Sequence, residues 1–255
     1  MKFIALIFNF SISPLLLAGV YEPDLIWPKK DINVCFMDNM EQLKLTEWKI
    51  GKEENKVQGF EPAFFDKSEA KFIKKIITDT YTAEDTGVNF IGWQGCSQSK
   101  DFDVILLKMD SFWNGALFPE RPKIKGVANI GVGDHRNSPR GNTPNLKTDI
   151  LPTVVLRDVK KFEMTQAFGQ IAGLRHEHIL PEAENDESCV IRVDINTWFN
   201  YRETTEELGD TAVINTSYDP MSIMNDCSIN RRSEWFTVDS SLSEKDKETL
   251  KHMYP

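Results

Sequence analysis

Apolar positions recur along this chain with two periods, one of strands and one of helices. Ile32-Asn-Val-Cys-Phe36 alternates as a short strand. Val88–Trp93, Val104–Leu107, Gly126–Gly131 and Thr153–Leu156 read as further strands, rich in β-branched and aromatic residues. Asp66-Lys-Ser-Glu69 has the spacing of a capping box, in which Asp66 accepts backbone hydrogen bonds and Glu69 reciprocates. Ala70, Ile73, Ile77 and Tyr81 then recur at helical spacing, so one helical face is expected against the sheet. A second helix is expected through Gln166, close behind the Thr153–Leu156 strand, and a last one towards Met253. Strand, helix, several strands, helix, irregular chain and a final helix make an α+β protein.

Composition narrows the setting. Met1-Lys2 followed by Phe3 to Ala18 reads as an apolar targeting segment. It is short for a membrane span and interrupted by Asn9 and Pro14. Residues 1–19 are therefore expected to be a signal peptide cut near Ala18-Gly19 or just after, and 20–255 a single domain, secreted or periplasmic. Tyr21 to Lys30 could belong to that domain or form a short pro-segment. No other window is apolar enough for stable membrane insertion, and a monomer is expected. The net charge of -9, with no sustained basic run, argues against nucleic acid as a partner. Cys35, Cys96, Cys189 and Cys227 make an even count on an exported chain, which favours two disulfides. Three pairings are open. Cys35–Cys96 and Cys189–Cys227 are favoured, the first tying two strands and the second two later loops. No two cysteines lie close enough for a C-x-x-C zinc site.

Chemistry concentrates in Gln166-Ala-Phe-Gly-Gln-Ile-Ala-Gly-Leu-Arg-His-Glu-His178. The zinc motif H-E-x-x-H sets two imidazoles one helical turn apart, with a glutamate as general base. Its longer form, H-E-x-x-H-x-x-G-x-x-H, adds a glycine turn and a third histidine. Laid on this chain, the frame puts Gly173 at the turn and His176 at the third ligand. Gln166 and Gln170 occupy the first two ligand positions, and Ala167 the base position. Amide oxygens are poor ligands for zinc, and Ala167 cannot accept a proton.

These residues resemble the astacin-like branch of the metzincin metallopeptidases: Phe168-Gly169, Gly173-Leu-Arg-His-Glu-His178 and Pro181-Glu182. Tyr218-Asp-Pro-Met-Ser-Ile-Met-Asn-Asp-Cys227 is similar to the family's Met-turn, with Met224 as its methionine. Arg192-Val-Asp-Ile-Asn-Thr-Trp198 and Leu242–Pro255 look like later segments of bacterial members. The resemblance covers about Ile32 to the end. It implies a zincin fold with a twisted mixed sheet and two helices in an upper subdomain, about 31–174. A largely irregular lower subdomain, about 175–255, would hold the Met-turn and the terminal helix. It also implies that Met224 lies beneath the metal site and that Glu177 serves the mature N-terminus. Asp226 stands where the family usually has a tyrosine.

The expectation is an exported pseudopeptidase that has lost zinc binding and proteolysis, needs no cofactor, and holds a peptide or protein segment in its cleft. The alternative is an active metal-dependent hydrolase with zinc at a site rebuilt around His176, with His178, Glu177 and Asp226. His252, on the terminal helix, is expected on a charged face. The loop Asp134 to Asn145 carries His135, Arg136 and Arg140 and reads as solvated, with a cleft rim as the functional alternative. Glu182–Glu187 lacks the spaced ligands of a calcium loop and is expected to be solvated. No nucleophile elbow, phosphate loop or dinucleotide fingerprint is present.

Overall fold

The computed structural model describes residues 18–21, 23–45, 60–112, 126–128, 151–156, 159–177, 180–186, 190–192, 198–200, 213–216, 218–225 and 240–255. In chain order these form β1 (Ala18–Tyr21), β2 (Asp31–Phe36), β3 (Phe60–Ala63), α1 (Lys67–Thr80), α2 (Ala83–Thr86), β4 (Asn89–Gly95) and β5 (Val104–Phe112). There follow β6 (Gly126–Ala128), β7 (Thr153–Leu156), α3 (Lys161–Ile171), β8 (Leu174–Arg175), β9 (Val190–Arg192), β10 (Trp198–Asn200), β11 (Val213–Thr216) and α4 (Glu244–Met253). The class is α+β, as expected.

A six-stranded mixed sheet organises the first half, in the order β4-β2-β5-β7-β6, with β3 pairing the far half of β5. β2, β4, β5 and β7 run parallel, whereas β3 and β6 are antiparallel to their neighbours. Because side chains alternate across a strand, each central strand feeds two cores. Ile32, Val34, Phe36, Val104, Leu106, Val154 and Leu156 face the helices, where Ile73 and Ile77 of α1 and Met164 and Phe168 of α3 meet them. Cys35, Met37, Ile105, Leu107 and Val155 face the other way and surround the Cys35–Cys96 disulfide. The expected Cys35–Cys96 bridge is present; Cys189 and Cys227 lie outside the described residues.

Helix α1 begins as its sequence dictates. Asp66 accepts from the Ser68 and Glu69 amides at 2.7 and 2.9 Å, and Glu69 accepts from the Asp66 amide at 2.9 Å. Glu69 also binds Lys108 of β5 at 2.8 Å, pinning the helix start to the sheet.

Strand β4 is not the straight strand that alternation predicts. Val34 pairs with Gly92 and Cys35 with Gln94, so Trp93 is an extra residue with φ of 65°, next to Gly92 at 91°. Strict alternation would put Trp93 on the face opposite Phe90. The bulge brings both rings into one core, against Phe168.

A second, three-stranded sheet has the order β11-β1-β8, all antiparallel, with β1 in the centre. β9 and β10 form a separate antiparallel pair. Helix α3 starts at Lys161, several residues before Gln166, from a Lys160 cap that makes no side-chain capping bond.

One expectation is corrected. Pro181–Asn185 is a single turn of 3-10 helix rather than a solvated acidic loop, and Ala183 and Asp186 are buried. Tyr218 donates a hydrogen bond to Asp186, which draws that carboxylate inward. Glu182 and Asn185 do face solvent. Residues 1–17, the rest of the expected strand beyond Ala128, the loop from Asp134 to Asn145, His178 and Asp226 lie outside the described residues. Among the described residues, no helix is long and apolar enough to cross a membrane.

Gly87 closes α2 with φ of 75°, and a Cβ there would lie 2.3 Å from the carbonyl oxygen of Tyr254. Gly87→Ala should therefore cost about 3 kcal/mol, combining left-handed strain with a backbone clash. A urea midpoint unchanged from the parent would contradict this packing.

Candidate functional site

The site is built from the end of α3 and the chain that leaves it. Met164, Thr165, Ala167, Phe168, Gly169 and Ile171 are buried, whereas Gln166 and Gln170 are only partly covered. Gly169 allows a close approach, since a Cβ there would stand 2.8 Å from Met224 Sδ and 3.3 Å from the Tyr81 hydroxyl. Tyr81 in turn donates to the Thr165 carbonyl at 2.6 Å. Met224, itself buried, is therefore seated directly under the helix that carries the two glutamines.

At its end the helix turns sharply. The Ala172 amide donates to Phe168 O at 2.9 Å, and the Gly173 amide to Gln170 O at 2.8 Å. Gly173 has φ of 101°, a conformation glycine reaches without a steric penalty. Leu174 and Arg175 then pair with Tyr21 and Val20 of β1, and the next residue, His176, reaches back to α3. Gln170 Nε2 and His176 Nε2 are 2.9 Å apart. An amide nitrogen has only protons to offer, so Gln170 donates and His176 Nε2 accepts. With Nε2 as the acceptor, the ring proton belongs on Nδ1.

The frame positions Gln166, Ala167, Gln170, Gly173 and His176 thus fall on one helix end and its turn, as laid out from the sequence. The donors at these frame positions, among the described residues, are not the set that zinc takes. A structural or catalytic zinc takes imidazole, thiolate or carboxylate ligands. Here the imidazole of His176 is engaged at Nε2 by Gln170, Gln166 stands at the remaining ligand position, and Ala167 supplies no base. Among the described residues, no group of three or more His, Cys, Asp or Glu side chains could hold a metal ion. His252 is exposed on α4, with its ring against Tyr21 at 6.1 Å between centroids.

Beneath this turn lies a buried carboxylate network that sequence reasoning missed, apart from Glu177. The Glu177 amide donates to Met224 O at 3.1 Å, and its carboxylate accepts from the Asp219 amide at 3.3 Å. Asp246, at the start of α4, accepts from the Ser222 hydroxyl at 2.6 Å, the Ile223 amide at 3.0 Å and the Ser243 amide at 2.9 Å. Ser243 caps α4 and also donates its hydroxyl to Asp219 at 2.6 Å. Asn225 donates to both the Tyr218 hydroxyl and the Asp219 carbonyl. The Ser243–Asp246 spacing is a capping box, so that part of the network could have been found from sequence.

Burial pushes the Glu177 carboxyl up to about 8, and the nearby Asp246 and Asp219 push it the same way. Burial also raises Asp246, against the three donors that stabilise its charge.

No family model matches this chain, and no curated protein does. Among solved structures, myroilysin is similar to it at 12% identity and a TM-score of 0.46, over 93% of this chain and 98% of that one. High choriolytic enzyme 1, a hatching enzyme zinc-protease from the medaka fish Oryzias latipes, is similar at 12% identity and a TM-score of 0.45. That match covers 91% of this chain and 94% of the other.

The Glu177 environment sets a pH dependence. Its folded pKa of about 8 lies above the ordinary 4.5, so the folded state binds the proton more tightly. That contribution to stability is complete below the unfolded pKa and is lost as pH rises through the folded one. Thermal midpoints should therefore fall between about pH 5 and about pH 9, and Glu177→Gln should flatten the fall. A parent midpoint that climbs across that window would refute the assignment.

Proposed function

We propose that this chain is an exported pseudopeptidase of astacin-like metzincin architecture, which holds an extended peptide or protein segment without cutting it. The observation that carries the reading is the Gln170–His176 hydrogen bond at 2.9 Å, formed where the motif would set two zinc ligands. Met224 under Gly169 and the left-handed Gly173 turn fit the Met-turn and glycine positions of that architecture. No metal is required: fold and site are tied by hydrogen bonds. On this reading 31–174 forms the upper subdomain and 175–255 the lower.

Peptide binding has a physical basis in β6. This short antiparallel strand ends the described sheet order and packs beside α3. A strand edge offers backbone donors and acceptors to an extended segment, and the half-covered Gln166 and Gln170 add neutral amide groups. A single peptide or protein segment is the partner this arrangement suits, with the protein itself a monomer.

Export is part of the proposal, and β1 constrains it. Ala18, Gly19, Val20 and Tyr21 all pair with β11, and Val20 and Tyr21 also with β8. Cutting after Gly19 would strip β1 of half its pairings with β11, so the leader is proposed to end at or before Leu17. Intact mass of protein recovered from the periplasm tests this; a chain starting at Gly19 or later would reject it.

Function is tested by element analysis together with peptide cleavage and peptide-binding assays on oxidatively folded protein. We expect no stoichiometric zinc, no hydrolysis with or without added zinc, and saturable binding of unstructured peptide that Gln170→Ala weakens. Zinc near one per chain, with cleavage lost in His176→Ala, would establish instead a hydrolase rebuilt around His176, His178 and Asp226.

A further inference from the structure

We infer that Trp27 and Tyr254 are positioning residues for the Gln170–His176 pair, an inference that rests on the peptide-holding reading of that site. The last carbonyls of an α-helix have no partner within it. At the end of α3 two of them are met from remote parts of the chain. Trp27 Nε1 donates to Ile171 O at 2.6 Å, and the Tyr254 hydroxyl donates to Ala172 O at 2.8 Å. The Trp27 amide donates to the same hydroxyl at 3.4 Å, so the two residues form one unit. Both are buried. Met253 Cε packs against Gly173, 2.9 Å from where a Cβ would stand, and Gly87 backs Tyr254.

These two carbonyls decide where the helix stops. Were α3 to continue, Ile171 O would accept the Arg175 amide and Ala172 O the His176 amide, by the four-residue rule. The indole and the phenol occupy those acceptors instead. Leu174 and Arg175 are thereby left to pair with β1, and His176 folds back over the turn.

The tolerance is narrow. A helix advances about 1.5 Å per residue, whereas an N–H donor bond weakens within a few tenths of an ångström beyond about 3.2 Å. One residue of extra helix, or one frayed turn, would therefore separate Gln170 from His176. An ordinary cap would stabilise α3 without setting the state of a side chain beyond it; this unit sets both.

The test reads the protonated nitrogen of His176 by long-range proton–nitrogen correlation NMR, on the full chain with no peptide present. The parent should show the proton on Nδ1 alone, as donation from Gln170 requires. Trp27→Phe and Tyr254→Phe each delete one donor and keep an aromatic ring. Each is expected to shift His176 to a mixture of the two tautomers, as Gln170→Ala should also do, while the chain remains folded. Parent-like tautomers in the folded variants would reduce Trp27 and Tyr254 to buried caps and overturn the inference. If Tyr254→Phe does not fold, Trp27→Phe decides alone. A parent lacking the Nδ1 proton would count against the pair itself, and so against the reading of the site, which separates the two failures.

Discussion

The turn at Gly173 is the constraint on which the described chain after α3 depends. With φ of 101° it reverses the chain within two residues of α3, and both sides of the turn are used. Before it, Gly169 seats the helix on Met224. After it, β8 joins β1, and Glu177 binds the backbone of Met224. A side chain at Gly173 would meet the Met253 methyl as well as left-handed strain, so the position requires glycine twice over.

Around that turn, polar groups rather than apolar contacts carry the specificity. A buried carboxylate without donors is expensive, and removing one partner of such a group costs more than the bond is worth. Asp246 is satisfied by three donors from the turn and the helix cap, and so welds Ser222–Met224 to α4. Among the described residues Glu177 accepts from the Asp219 amide and has two acidic neighbours against Lys245, which makes it the weakly compensated member. The network thus combines a rigid half and a titratable half, and the titratable half adjoins His176.

Much of the fold was legible in the chain because its period shows through. Alternation in Ile32–Phe36, the β-branched run Thr153–Leu156 and the Asp66–Glu69 box act over a few residues, and each forms the element it predicts. What was hidden depends on distance. The Trp93 bulge answers to Phe168, some seventy residues away, rather than to its own strand. The start of α3 has no capping side chain to announce it. Asp186 looked solvated because its partner, Tyr218, lies 32 residues on. The frame of the site, from Gln166 to His176, was legible as a motif with its chemistry replaced. Its support was not, because Trp27 and Tyr254 act across 144 and 82 residues.

Glutamines at the motif's ligand positions have a physical logic under the proposed reading. A structural zinc can contribute on the order of 10 kcal/mol to folding, whereas one neutral hydrogen bond contributes about 1 kcal/mol. A Gln–His pair therefore cannot substitute energetically for a metal, and a fold built around it must be secured elsewhere. Here the other ties are in place: the Cys35–Cys96 bridge in the sheet, the two donors at the end of α3, and the Asp246 weld below. What Gln170 provides is local. It bonds the imidazole at Nε2 without adding charge and keeps the helix face hydrogen-bonding rather than apolar. Those are the properties that the proposed peptide-holding reading asks of this surface, where a fixed positive ion would serve only cleavage.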